Sequence, residues 1–522
     1  MEPYKVGIDF GACNIKAAGI EDGKILPIKL NTYEYGGEHT PNVLLYSRMK
    51  SGKTQLTLGD KALTKAKATN RQNLVEDIKR KLQQPCWSQY IPALEREAEL
   101  GEVTRDIFAA LKKYLPLEDE QEAEAVLTIP VNFSTAQIAR LRRGAEDAGL
   151  KVRDIISEPF AAMFALKDTG RDELALVFDF GGSTLDISVA KIERADGELS
   201  ISELAAEGLA FGGRDIDELI YNDILTEEDK ENISATLGEN VTPDVLRQTI
   251  MRQNIAPAKE RIFGEGGEEE ENITYEPDIR VRRDAIEAAL HSSGAMERIK
   301  ATLDSLFNEL ADGPEAYTRD DITLILPLGG TARIPLFAEL LENYFGPDKF
   351  SARDFDYENA KMLDDAIKSR YMAVTVGAAS YLKALDSDSA PACSSVVPFR
   401  LGFKKGDQFI PCLGKNTPRG GSYRSPRKIY PVSELVANDW RIPLFQAFGG
   451  QDSDEITFIQ EICLNKELYL DDHPVMLMFN ITKDGDLRAV ITQQQVFGEE
   501  GDSGEVLVEE RIISLRGEGN AG

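Results

Sequence analysis

The segment "VGIDFGACNIKAAGI" (Val6–Ile20) returns in altered form as "ALVFDFGGSTLDISVAKI" (Ala175–Ile192). Each places an apolar run before Asp-Phe-Gly, follows it with small residues, and then resumes an apolar run. The pattern reads as a buried strand, a tight turn and a returning strand. At such a turn glycine lacks the side chain that would keep an anion away from backbone N–H groups. Either element alone reads as an ordinary hairpin with an Asp at its turn. Occurring twice, they describe two turns that can face one another and grip a polyphosphate from both sides. Asp9 and Asp179 hold matching positions, and Asp186 on the second returning strand is placed to join them in holding Mg²⁺ through its waters.

A third piece, "LGGTARIP" (Leu328–Pro335), lies between a buried-strand pattern and a helical one, where glycines allow close approach of a ligand. Two tempting motifs fail. "SGKT" at Ser51–Thr54 lacks the earlier glycine of a P-loop, since Ser47 stands there, and reads as a hairpin turn. The Asp-Phe-Gly triplets have no His-Arg-Asp loop or glycine-rich kinase loop beside them.

The 522 residues exceed one ordinary core, so at least two domains are expected. With 42% hydrophobic and 29% charged residues the chain can fold. A formal net charge of −29 opposes binding to nucleic acid or an anionic membrane surface. No run approaches the ~20 consecutive apolar residues of a membrane span, and the N-terminus has no export signal pattern. Five scattered cysteines without a CxxC pair argue against disulfide and zinc frameworks and fit a reducing, cytoplasmic setting. The three histidines lie far apart and carry no hypothesis.

Strands alternate with helices through the first two thirds of the chain, which argues α/β architecture. "STAQIARLRRGAEDAGL" reads as a helix with Ser134 as N-cap and Gly149 as its stop, and "SEPFAAMFAL" as another with Pro159 in its first turn. Asp215–Leu310 reads as mainly helical, broken by "GEGGEEEEN" (Gly264–Asn272), taken as a solvated loop. "DSDSAPACSS" (Asp386–Ser395) marks a linker, and the alternating segments beyond it, around turns such as Asp484-Gly485, describe a mainly β domain.

Taken in order, "GIDFGACN", "IKRKL" from Ile78, "VLTIPVNFSTAQ", "AGLKVRDIISEPFAA", "FDFGGSTLDISV", "GGRDID" from Gly212 and "LGGTARIP" resemble the nucleotide-binding fold of actin, sugar kinases and heat-shock chaperones. Within it the chain is most similar to the DnaK-like, seventy-kilodalton heat-shock chaperone family. The resemblance covers residues 1–385 and implies a two-lobed, actin-like (ribonuclease-H-like) α/β ATPase domain. A linker at 386–395, a β-sandwich domain at 396–515 and a tail at 516–522 would follow. It implies ATP/ADP and Mg²⁺ as cofactors, slow ATP hydrolysis that controls the grip on an unfolded or specific client polypeptide, and a cochaperone or exchange factor as partner.

Carried over by position, Asp9, Asp179 and Asp186 would surround Mg²⁺, Lys79 would assist the attacking water, Glu158 would support the water network, and Thr184 would contact the γ-phosphate. Lys81 is the alternative to Lys79 within "IKRKL". The phosphate turns would be Gly11, Ala12, Cys13 and Asn14 on one side and Gly181, Gly182 and Ser183 on the other, with Gly212 and Gly213 beside them. Gly329, Gly330, Arg333 and Lys259 would lie at the adenosine.

The chain departs from the family at several of these points. Ala12 and Cys13 replace two threonines near the phosphates, which implies slower hydrolysis. Ile138 replaces an arginine coupled to Pro130, and the polar linker replaces an apolar one, which implies weak coupling between domains. Ala256 and Phe263 replace adenosine contacts, and Pro257 interrupts that helix pattern. "RGGSYRSPRKIYPVSELVANDW" diverges from the family's β domain, and no helical lid follows it, which implies a lidless form with fast peptide exchange. The competing readings are a nucleotide-dependent regulatory scaffold with little turnover and, less favoured, an actin-like filament protein.

Overall fold

A computed structural model of the chain describes residues 2–30, 39–66, 70–84, 86–166, 171–195, 198–237, 243–264, 267–313, 315–350, 370–386, 393–419, 428–430, 432–448, 455–469, 475–482, 486–497 and 502–513. Two sheets of like construction carry its first part. In the first, the antiparallel strands Tyr4–Phe10, Asn14–Glu21 and Lys24–Pro27 continue into Ala123–Ile129 and Leu150–Ser157, both added in parallel. In the second, Glu173–Phe180, Leu185–Ala195 and Glu198–Leu209 form the antiparallel run, and Leu324–Leu328 joins Glu173–Phe180 in parallel. The repeated Asp-Phe-Gly segments are therefore the leading hairpins of two equivalent sheets.

Parallel pairing requires crossovers that bury both faces of a sheet. Helices Leu100–Lys112 and Thr135–Asp147 supply Val103, Ile107, Leu111 and Leu141 to the core of the first sheet. Ala295–Ala311 and Pro335–Phe345 supply Ile299, Leu303, Phe337 and Leu341 to the second. Between the sheets, Glu158–Met163 and Ala373–Leu385 pack small and apolar side chains against Val126, Val177 and Leu326. Ser134 caps its helix through a full capping box with Gln137, as its place in the sequence predicts. The segment at Ser51–Thr54 is the turn of the hairpin Leu44–Arg48 and Thr54–Leu58.

The end of the acidic run differs from the expected loop. Glu270–Thr274 is a strand paired with Ile279–Arg282. Arg280 holds Glu270 at 2.9 Å and Arg261 holds Glu271 at 3.1 Å, so cations flanking the run offset the local repulsion that favours a solvated loop.

Beyond residue 393, two antiparallel four-stranded sheets share one apolar cluster. One comprises Gln408–Leu413, Arg400–Lys405, Arg441–Phe448 and Glu455–Cys463; the other comprises Lys428–Tyr430, Val475–Ile481, Leu487–Phe497 and Asp502–Ile513. Burial alternates strictly along Val475–Ile481, which gives one face to the core. A short helix, Val432–Ala437, adds to this mainly β region. Residues 387–392 of the linker, 420–427 of the divergent segment, the Asp484-Gly485 turn, His473 and the tail lie outside the described residues.

The described end of the segment expected as a linker pairs through its backbone. Cys393–Ser394 lies parallel to Ile201–Ser202 as the fifth strand of the second sheet. Edge pairing of this kind uses main-chain hydrogen bonds and needs no apolar side chains. Next to it the buried carboxylate of Glu203 accepts from Val396 N–H at 2.9 Å, Ser188 Oγ at 2.8 Å and Ser157 Oγ at 3.4 Å. Thr135 Oγ1 meets Gln446 Oε1 at 2.9 Å, and Lys415 pairs with Glu207, so the β region also contacts both earlier sheets' surroundings.

Candidate active site: two hairpin turns around a carboxylate cluster

The two leading hairpins align residue for residue. Asp9 sits opposite Lys16 in the first, and Asp179 sits opposite Asp186 in the second. Gly181 N–H donates to Thr184 O at 2.9 Å, which closes the second turn. Two further segments converge on it. Gly213 N–H and Arg214 N–H donate to the carbonyls of Gly181 and Gly182 at 3.1 and 2.9 Å, and Thr331 Oγ1 donates to Gly181 O at 2.8 Å. Gly329, with φ near 80°, lies so close to the Asp179 strand that a Cβ there would stand 2.7 Å from Asp179 Oδ1 and collide with Phe180 O. A Cβ on Gly182 would collide with Cys13 Sγ, so the two turns face each other closely. The structure thus brings together Gly181, Gly182, Ser183, Gly212, Gly213, Gly329 and Gly330 from stretches widely separated in sequence.

Asp9 is 5% exposed, and both its oxygens accept: Oδ2 from Lys16 Nζ at 2.9 Å and Oδ1 from Thr128 Oγ1 at 3.2 Å. Burial opposes its ionisation, but the charges of Lys16 and Lys79 outweigh this and hold its carboxyl below the usual range. Lys79 is also buried and forms an ion pair with Glu158; burial works against its charge, while Glu158 and Asp9 keep the ammonium protonated. The second hairpin is different. Asp179 is pushed well up by burial and by the charges of Glu158 and Asp186. Asp186 is pushed up to about 7 by burial and by Glu158. Asp186 Oδ1 accepts from Val131 N–H at 2.6 Å, whereas its buried Oδ2 has no hydrogen-bond partner among the described residues.

This orphaned oxygen and the unfavourable ionisation of its neighbours fit a bound cation. Among the described residues no three His, Cys, Asp or Glu side chains converge as a direct ligand set, so a cation here would be held through its waters. With a cation there, the facing turns and the Lys79–Glu158 pair would suit phosphoryl transfer to water, where positioning and charge stabilisation do most of the work.

The other expected residues are distributed as follows. Lys81 points away, donating to Glu76 O and lying 4.9 Å from the Trp87 ring. Lys259 Nζ is held by Asp217 Oδ1 and Gly213 O, each at 2.5 Å, so its charge supports the Gly212–Gly213 segment. Arg333 is half-buried at the end of the turn Gly330–Arg333. Ser183 Oγ receives Arg80 Nε at 3.2 Å, and Ala12 O receives Arg214 at 3.1 Å. Asn14 Nδ2 donates to Tyr371 Oη at 2.9 Å.

Sequence reasoning missed Lys16, Thr128 and Tyr371. For Lys16 a signal existed: it follows Asp9 by the same interval that separates Asp186 from Asp179. It also missed the charges that span the cleft, where Arg214 pairs with Asp77, Arg252 with Glu76, and Arg80 with Asp215 at 3.3 Å.

Two equivalent sheets whose leading turns face each other define a two-lobed α/β fold. Residues 97–361 match the family model described as Hsp70 protein, which covers about half of the chain. The chain belongs to the Hsp70 family. It is similar to Chaperone protein DnaK of Thermotoga neapolitana, with 28% identity over 433 residues, spanning 79% of this chain and 66% of that protein. It is similar also to Chaperone protein DnaK of Burkholderia cenocepacia, with 29% identity over 334 residues, spanning 61% of this chain and 46% of that protein. The chain thus spans less than two thirds of these relatives' length. Asp9, Lys16 and Lys79 precede the matched family segment, whereas Glu158, Asp179, Asp186 and Gly329 fall inside it.

Proposed function

We propose that the chain is a DnaK-like chaperone that binds and slowly hydrolyses ATP with Mg²⁺ and uses the bound state to control a β sandwich holding client polypeptide. Residues 1–385 form the ATPase domain, 386–395 the linker and 396–515 the sandwich. Asp9, Asp179 and Asp186 hold the hydrated cation, Lys79 and Glu158 orient the attacking water, and Thr184 meets the terminal phosphate. Gly329, Gly330 and Arg333 border the adenosine. Cochaperones or exchange factors act on it in the cytoplasm.

The observation that carries the reading is the Glu203 node. Ser157 caps the helix that begins with Glu158, Ser188 lies two residues beyond Asp186, and Val396 opens the β region. One carboxylate therefore touches neighbours of the cleft and the start of the client-holding part, which supports coupling despite Ile138 and the polar linker. Ile138 itself packs against the first core.

Ala12 and Cys13 favour a second reading, a nucleotide-dependent scaffold with little turnover, because no threonine hydroxyl stands in the first turn. Single-turnover ATP hydrolysis with Mg²⁺, with and without unfolded polypeptide, separates the two. Acceleration by polypeptide supports the coupled chaperone; ATP binding without hydrolysis selects the scaffold. Failure to bind ATP overturns both.

A further inference from the structure

Lys16 occupies, in the first hairpin, the cross-strand position that Asp186 occupies in the second. The first hairpin thereby presents an Asp–Lys pair where the second presents two carboxyl groups. Lys16 is largely buried, its side chain 13% exposed, with Nζ 2.9 Å from Asp9 Oδ2 and 4.2 Å from the centre of the Tyr371 ring. Tyr371 is fixed in turn by Asn14 of the same hairpin. The ammonium is therefore held on two sides by groups of the cleft rather than extending into solvent. Asp9 is satisfied by Lys16 and Thr128, while Asp186 keeps an orphaned oxygen.

A polyphosphate entering between the turns meets a carboxylate cluster that repels it unless cations intervene. Lys79 is engaged with Glu158. Among the described residues, Lys16 is the other cation that reaches Asp9, and it also acts on Asp179. Resting on the nucleotide reading above, we propose that Lys16 is a resident counter-cation of the phosphate cleft, neutralising Asp9 in the free protein and a nucleotide phosphate in the bound one. It thereby reduces the dependence of nucleotide binding on free Mg²⁺. Lys16 is a positioning and charge-balancing residue, distinct from the residues to which the reading above gives the metal and the attacking water.

The test is titration of the full chain with a fluorescent ADP analogue, in Mg²⁺ and in excess chelator, for wild type, Lys16→Met and Lys16→Arg. The expected result is a loss of under about tenfold on chelation for wild type, at least about a hundredfold for Lys16→Met, and recovery toward wild type for Lys16→Arg. An equal chelation effect in wild type and Lys16→Met overturns the proposal. If Lys16→Met does not fold, wild type alone decides, because a loss of more than about a hundredfold on chelation overturns it equally. Absence of nucleotide binding to wild type in Mg²⁺ overturns the nucleotide reading itself and this inference with it, an outcome distinct from the other two.

Discussion

Lys79 and Glu158 form a buried ion pair within a cluster that also feels Asp9 and Asp186. Breaking such a pair leaves a buried charge uncompensated. If the pair orients the water, Lys79→Ala lowers single-turnover hydrolysis by at least about a hundredfold while ADP affinity changes by only a few fold. Parallel measurements of turnover and equilibrium binding check this. Equal losses in both would mean that Lys79 serves binding or folding instead. Lys81→Ala serves as the control and leaves hydrolysis near wild type, since that lysine faces Glu76 and Trp87.

Among the secondary elements, the strand Glu198–Leu209 has the most varied duties. One edge completes the hairpin with Leu185–Ala195, and the other receives Cys393–Ser394. Glu203 on this strand is surrounded by Ser157, Ser188 and Val396 N–H, with Arg419 acting on it electrostatically. Burial raises its pKa above the ordinary carboxyl value, against these groups' pull. A carboxyl raised on folding contributes stability that is fully present below its unfolded pKa and lost as pH rises through the folded one. Stability of the whole chain, read by thermal denaturation across pH, is therefore expected to gain from Glu203 below its unfolded pKa and to lose that gain as pH rises. Glu203→Gln keeps an acceptor for Val396 N–H and flattens that dependence, whereas Glu203→Ala leaves Val396 N–H without its partner and lowers stability at every pH.

At the scale of the whole molecule, among the described residues, the ion pairs Arg214–Asp77, Arg252–Glu76 and Arg80–Asp215 join the segment beside the first core to elements of the second. They lie in a strongly acidic chain whose excess charge otherwise opposes closure. Nucleotide release, followed by stopped-flow fluorescence, is expected to quicken severalfold in Arg214→Ala and to quicken with salt in wild type. An unchanged release rate in Arg214→Ala would show that the pairs do not gate the cleft. No helix among the described residues is long and apolar enough to cross a membrane.

Much of this architecture is legible in local pattern. The helix Thr135–Asp147 follows from Ser134, Gln137 and an apolar face, and the hairpin at Ser51–Thr54 from its turn residues, because caps and turns bond within a few residues. The repeated Asp-Phe-Gly segments likewise announce two equivalent hairpins, and their order along the chain points to the Hsp70 family. What local pattern could not supply depends on pairings that only the assembled fold sets. Glu270–Thr274 becomes a strand through Ile279–Arg282 and through cations such as Arg280 and Arg261. Cys393–Ser394 docks because a sheet edge nearly two hundred positions earlier offers free main-chain groups. Lys16 turns inward because Asp9 and Tyr371 together compensate its buried charge, and Tyr371 reaches it only through folding of the intervening chain. Sequence by itself determined the periodicities, caps, turns and family; tertiary structure decided which charges are buried together, since desolvation and ion pairing depend on distances that only the assembled fold sets.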